Sequence, residues 1–280
     1  MSKPIGPTIP RWQLGEQLSR LRELAGISQT QAAQTLGCSL SKVQKIEAGD
    51  VGVVKGELMF MFDIYKLADD TARAELLELQ RLGKQRGWWS KFGQMPTPLA
   101  TYLGLESAAT SIRTFQPLII PGLCQPAAYA RAIIEATFQP GAADVDRQVQ
   151  LRMDRQKQIL DDTPPMIWVI LDEAALRRQI GGAAVMAAQL VHLHQMSKQM
   201  TILVVPFAHG GYPGTLGAMT IFEFDEDRHS PVVHVEGQAG NLYLERDADL
   251  HRCNLDYNEI TAAALSKGES AKLIAAIARE

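Results

Sequence analysis

Leu40, Ser41, Gln44 and Lys45 lie within six residues of one another and form a set suited to reading base edges, since hydroxyl, amide and ammonium groups donate or accept in a DNA groove. Beside them Ser39, Lys42 and Gln29 are of the types that hold phosphate oxygens, contacts that fix register without reading sequence. Such chemistry requires a helix lodged in the major groove, its first turns toward the bases and its N-terminus and lysines toward the backbone.

The residues around this set supply that helix and a second one to carry it. Ser28 is an N-cap type before a helix-forming run, Gly37 permits a positive φ after it, and Ser39 is a second N-cap type, giving helix, short turn and helix over residues 28 to 49. Ala33 is small where the two helices approach, and Leu36, Val43 and Ile46 fall on one face, leaving Ser41, Lys42, Gln44 and Lys45 outward. Upstream, Leu14, Leu18, Leu21 and Ala25 recur at helical spacing and Gly26 stops the run. Downstream, Leu58, Met61, Phe62, Tyr65 and Ala68 predict a fourth helix, and residues 72 to 86 predict a fifth after Asp70 and Thr71.

In the segments 21 to 29, 32 to 37 and 41 to 49 this region resembles the lambda-repressor-like, xenobiotic-response-element class of helix-turn-helix regulators, over about residues 12 to 68. It differs at Ala32, where a larger apolar residue is usual, and at Val51 to Val54, which replace a proline-containing loop. The resemblance implies a sequence-specific DNA-binding protein acting as a homodimer on a pseudo-palindromic operator. It also implies a scaffold salt bridge between Arg22 and Glu47, positions otherwise readable as two independent surface charges.

The 280 residues are 46% hydrophobic and 21% charged, an ordinary globular composition with room for one large or two medium domains. No apolar run approaches the ~18 residues of a membrane helix, and Met1 to Pro10 has no signal-peptide hydrophobic region, so the expectation is a cytoplasmic protein without a membrane partner. Cys38, Cys124 and Cys253 are too scattered for a disulfide framework or a zinc knuckle and read as reduced thiols. The net charge of −3 divides unevenly, +3 over residues 1 to 55 and −6 over the rest, which confines phosphate attraction to the N-terminal part.

Beyond Gly87-Trp88-Trp89 the composition changes, and the tandem tryptophans read as packing at a domain junction. Helices are expected over 102 to 114, 127 to 138, 144 to 160, 172 to 180, 183 to 196 and 247 to 265, with a last one capped by Ser266 and Glu269. Strands are expected over 166 to 171, 201 to 206, 218 to 224, 232 to 236 and 241 to 244. In the helix 144 to 160, Val145, Val149, Met153 and Leu160 are assigned inward, with Arg147, Arg152, Arg155 and Lys157 mostly outward as a solvated face. The segments 121 to 132, 152 to 156, 168 to 178, 204 to 207 and 235 to 237 resemble the C-terminal domain of actinobacterial antitoxin-like transcriptional regulators. That resemblance implies control through an effector or through a small protein encoded nearby, and its alternative reading is an antitoxin that neutralises such a protein and binds DNA for autoregulation.

Catalytic readings are weaker. His192 and His194 are two apart on a helix, poor metal geometry. His234 and Glu236 alternate on one strand face and could serve as an acid/base pair, although residues on a sheet face are far more often mere neighbours of the adjoining strands, and Ala239-Gly240 has no separate Ser and Lys pair to cleave it. The glycine pairs lack the Gly-Lys-Ser/Thr ending of a phosphate loop, although residues 210 to 214 suit a flap over a pocket. The expected organisation is a flexible lead-in over 1 to 10, an all-α five-helix helix-turn-helix domain over 11 to 87, and an α+β domain over 88 to 280 with a small mixed sheet flanked by helices, which would dimerise and receive a partner or small-molecule effector. No catalytic residue, metal site or cofactor is expected.

Overall fold

Proline is tolerated in the first turn of a helix, where its missing N–H has no intrahelical partner, and the chain uses this to start α1 (Thr8–Leu24) at Thr8, with Ile9 and Pro10 already buried. The lead-in expected over 1 to 10 therefore gives way to helix before Pro10; Met1 to Ile5 lie outside the described residues. The computed structural model describes residues 6–93, 95–138, 142–161, 163–225, 229–237 and 240–280.

Helices α2 (Gln29–Leu36), α3 (Leu40–Glu47), α4 (Lys55–Ile64) and α5 (Asp70–Gly83) follow, then a 3-10 turn at Trp88–Phe92 and α6 (Thr97–Ala108). The apolar spacing becomes one core: Leu14, Leu18, Ala33, Val43, Ile46, Leu58, Met61, Phe62 and Tyr65 are all buried together. The fourth helix is shorter than its apolar pattern, ending at Ile64, and Lys66 takes a positive φ of 57° where the chain turns toward the Asp69 cap of α5. Trp89 is buried, and the Trp88 indole N–H donates to Ser107 Oγ at 3.2 Å. By its contacts the chain divides into the units Met1–Ala108 and Ala109–Glu280, and residues 88 to 108 fall in the first.

The second unit opens with β1 (Ser111–Gln116), followed by a 3-10 turn at Gly122–Cys124, α7 (Ala127–Phe138), α8 (Ala142–Leu160), β2 (Met166–Asp172), α9 (Glu173–Arg177), α10 (Ala183–Met196) and β3 (Thr201–Val205). Two 3-10 turns, Phe207–His209 and Pro213–Leu216, lead to β4 (Met219–Glu223), β5 (Val232–Gly237) and β6 (Gly240–Leu244), and the unit ends with α11 (Asp247–Ala263) and α12 (Lys267–Ile277). The six strands form one sheet in the order β3-β2-β1-β4-β5-β6. β1, β2 and β3 are parallel and joined by helical crossovers, whereas β4, β5 and β6 add an antiparallel half.

Two expectations are corrected here. Residues 111 to 114 do not continue the preceding helix: they form a central strand, paired with β2 on one side and β4 on the other. The second correction concerns α8. Val145, Val149 and Ile159 are buried, and Arg152 and Gln156 complete the same four-three-four-three row, so Arg152 points inward with the apolar stripe. Its guanidinium Nη1 donates to the buried Gln125 Oε1 at 2.6 Å.

The flanking helix α11 covers one sheet face, where Phe115, Ile170, Leu203, Ile221 and Val233 pack with Leu250, Tyr257 and Ile260. The suggested flap is tied to this face. The Tyr212 hydroxyl donates to Asp172 Oδ2, and its ring packs edge-on against Phe115 at 5.9 Å.

Candidate nucleic-acid interface

The helix-turn-helix is built from two caps and a left-handed turn. Ser28 Oγ accepts from the Gln31 backbone N–H at 3.2 Å while Gln31 Oε1 accepts from the Ser28 N–H at 2.8 Å, a reciprocal capping box at the start of α2. Gly37 closes α2 at φ 64°, a conformation in which a side chain is strained, and this redirects the chain within two residues. Ser39 then caps α3, its hydroxyl accepting from the Lys42 N–H at 3.2 Å.

On α3, Val43 and Ile46 are buried, and Leu40, Ser41, Lys42, Gln44 and Lys45 are exposed. The four residues assigned to base edges thus share the free side of one short helix. The three assigned to phosphates are placed differently. Ser39 is exposed but its oxygen serves the cap, Lys42 Nζ donates to Glu57 Oε1 at 2.7 Å, and the Gln29 amide donates to Glu47 Oε2 at 2.9 Å. The hydrogen bond that Lys42 donates to Glu57 raises the Lys42 pKa, keeping the ammonium protonated.

Beneath this surface Arg22 and Glu47 form a two-pronged ion pair, Nε to Oε1 at 2.6 Å and Nη2 to Oε2 at 2.9 Å. The side chains are 8% and 5% exposed. The Arg22 pKa is raised chiefly by the Glu47 hydrogen bond. Burial alone pushes Glu47 up, but hydrogen bonds from Arg22 and Gln29 outweigh it and the carboxylate lies below its ordinary value. Arg22 also donates to Ile27 O at 3.0 Å and to Ser19 Oγ at 3.1 Å, so one guanidinium joins α1 to α3 and to the turn before α2. A relay of amides continues outward, with Gln44 Nε2 at 3.5 Å from Gln29 Oε1.

Several contributors were not visible from residue type. Gly15 lets α1 approach α3 closely: a Cβ there would meet Glu47 O at 2.4 Å and Ile46 O at 2.7 Å. Glu57 and Gln29 bind partners 15 and 18 residues away in sequence, beyond the reach of helical spacing. The capping role of Gln31 did have a signal, the Ser-x-x-Gln pattern at 28 to 31.

The residues considered for catalysis do not converge. His194 is exposed, and His192 is partly buried, with burial lowering its pKa. Buried His234 lies with Nε2 3.1 Å from Asn241 Oδ1, while Glu236 is exposed. Ala239 lies outside the described residues. Among the described residues no group of three or more His, Cys, Asp or Glu is placed to hold a metal, and no helix is long and apolar enough to cross a membrane.

The family described as a domain of unknown function (DUF5753) matches residues 99–276, which is most of the chain. The chain belongs to this family. A DUF5753 chain here carries an N-terminal helix-turn-helix domain, a family match over residues 13–76 that spans the caps, the turn and the exposed face of α3. This is the fold of a DNA-binding regulator. Comparison with curated proteins and with solved structures gave no match.

Proposed function

We propose that the protein is a sequence-specific transcriptional regulator rather than an enzyme, cytoplasmic, binding double-stranded DNA as a homodimer through α3 and controlled through its C-terminal unit. The observation that carries the reading is the outward set Leu40, Ser41, Gln44 and Lys45 on a helix whose opposite side is locked in the core. A groove-reading helix must present its side chains without rotating, and Val43, Ile46 and the Arg22–Glu47 pair supply that fixity. Ser39, Lys42 and Gln29 would serve the phosphates, Lys42 exchanging Glu57 for the backbone on binding. Lys45 is the first choice for a base contact because it is exposed on α3 beside Gln44 and carries a charge that can donate to a base edge.

Selection of bound duplexes from a random library at stated salt tests this. The expected product is a pseudo-palindrome with half-sites about one helical turn, ~34 Å, apart; a failure to enrich any sequence contradicts the reading. The partner-controlled alternative, an antitoxin regulating its own synthesis, predicts a stable complex on co-expression with the neighbouring small protein. A freely acting repressor forms none.

A further inference from the structure

The chain leaves β3 at Val205 and enters β4 at Met219, and the strand order places β2 and β1 between the two. Register sets Val205 beside Asp172, the last residue of β2, and Met219 beside Phe115 of β1. Residues 206 to 218 therefore run as a strap past the C-terminal ends of two parallel strands. Three strand spacings amount to ~14 Å, whereas these residues could reach roughly 45 Å when extended. The strap has slack, and it can lift without moving either strand that it joins.

Its stem is fixed. The Phe207 N–H donates to Glu173 Oε2 at 2.9 Å, and the buried Glu173 accepts at its other oxygen from Arg177 Nε at 2.6 Å. Beyond the stem the bonds become local turns: the Thr215 N–H and Oγ1 both donate to Tyr212 O, at 3.1 and 2.9 Å, and the Gly217 N–H donates to Gly214 O at 3.3 Å. Among the described residues, one hydrogen bond ties the stretch 210–217 to anything outside the strap, from the Tyr212 hydroxyl to Asp172 Oδ2. The Tyr212 ring adds its edge-on contact with Phe115, and the turn Pro213–Leu216 rests on α11. Leu216 is 88% exposed, so the closed strap leaves this apolar side chain in water.

Glycines bound the same stretch, Gly210 at φ 83° and Gly217 at φ 144°. Both conformations favour glycine, and a Cβ added at either would meet nothing within 4 Å, so these residues serve backbone freedom and not close approach. A segment with one outside hydrogen bond, little buried apolar surface and a glycine at each end is of the kind that opens well below the cost of global unfolding. The strand ends beneath it lie where the sheet order turns back at β1, the place at which open sheets are reached by ligands.

We propose that residues 206–218 are a lid over the C-terminal ends of β1 and β2, hinged at Gly210 and Gly217 and latched by Tyr212 on Asp172. Opening breaks that one bond, turns the Tyr212 ring off Phe115 and uncovers the Asp172 carboxylate, while Glu173 keeps the stem in place. That opening reports to the DNA-binding unit rests on the regulator reading; the opening itself does not, and is measured without DNA.

The test is native-state proteolysis of the full chain by thermolysin, which cuts before large apolar residues and so at Leu216, each rate being referred to that of the urea-unfolded chain. Cleavage then follows the population of the open form. Tyr212→Phe keeps the ring and loses a charge-assisted hydrogen bond, and should speed cleavage within 206–218 about tenfold or more. Asp172→Asn should do the same, since its remaining oxygen still accepts from the Ala174 N–H that caps α9. The double variant should be cut about as fast as the faster single one, because both changes break one bond. Gly210→Ala removes no contact but strains the closed backbone, and should also speed cleavage about tenfold; it carries the test if a latch variant fails to fold. Sites outside the strap should not be cut faster. Strap cleavage no faster in the folded variants than in the wild type, a rise shared by sites throughout the unit, or fully additive effects of Tyr212→Phe and Asp172→Asn overturns the proposal.

Discussion

Each of the two units holds an arginine by short hydrogen bonds, and they treat it in opposite ways. In the helical unit Arg22 meets a carboxylate through two short bonds and two further acceptors, and its pKa rises. In the α+β unit Arg152 meets a neutral amide and a second arginine, and its pKa falls. A charge matched by a carboxylate within the chain is a structural fastening, whereas a partly buried one held by a neutral amide meets desolvation without that repayment. The same residue type thus braces the helix proposed to read DNA in one unit and holds Gln125, in the turn before α7, in the other.

The contrast breaks most visibly when partners are removed. Glu47→Ala leaves Arg22 buried without its carboxylate and should cost about 3–5 kcal/mol of stability in urea unfolding. Arg152→Gln removes one hydrogen bond to a neutral group and should cost about 1 kcal/mol in the same assay. Equal costs would erase the distinction between the two arginines. Next in size, Gly15→Ala forces α1 off the carbonyls of Ile46 and Glu47 and should cost about 1–3 kcal/mol, while Gly268→Ala, with open space around it, should change stability by under about 1 kcal/mol. Urea midpoints that rank these two glycines the other way would mean that the α1 to α3 approach is not tight.

The pH dependence sharpens the same comparison. Glu47 has a folded pKa below its ordinary value of 4.5, so its contribution is intact above that value and is lost as pH falls through the lower, folded pKa. Stability measured at successive pH values below about 4.5 should therefore fall less steeply in Glu47→Gln than in the wild type. The smallest effect belongs to Lys42→Ala. Its pair with Glu57 is exposed, so stability should change by no more than about 1 kcal/mol, while the salt slope of DNA binding should drop by about one. An unchanged slope would remove Lys42 from the phosphate contacts.

Local signals made the helical unit legible: Ser28, Gly37 and Ser39 each act within three residues of themselves, and the apolar stripes of α1, α3 and α4 follow one helical period. The packing of Gly15 against α3 was hidden because it joins residues far apart in sequence. In the α+β unit, β1 was missed because Arg113 and Thr114 interrupt its apolar residues. The buried Thr114 finds its hydroxyl partner in Thr220, more than a hundred residues later. Arg152 was assigned outward from its charge, although its spacing from Val145 and Val149 already put it on the buried row. Charge is a good guide to exposure only where no buried polar group draws it inward, as Gln125 does here.

The central claim is that the exposed face of α3 reads a defined DNA sequence. Its most direct test is to measure affinity and base preference of wild type and Lys45→Ala, side by side at one salt concentration, on the duplex that the wild type selects. The account predicts a loss of about 1–3 kcal/mol and relaxed preference at a single position in each half-site. Unchanged affinity and preference in Lys45→Ala, together with the same outcome for Gln44→Ala, would contradict it.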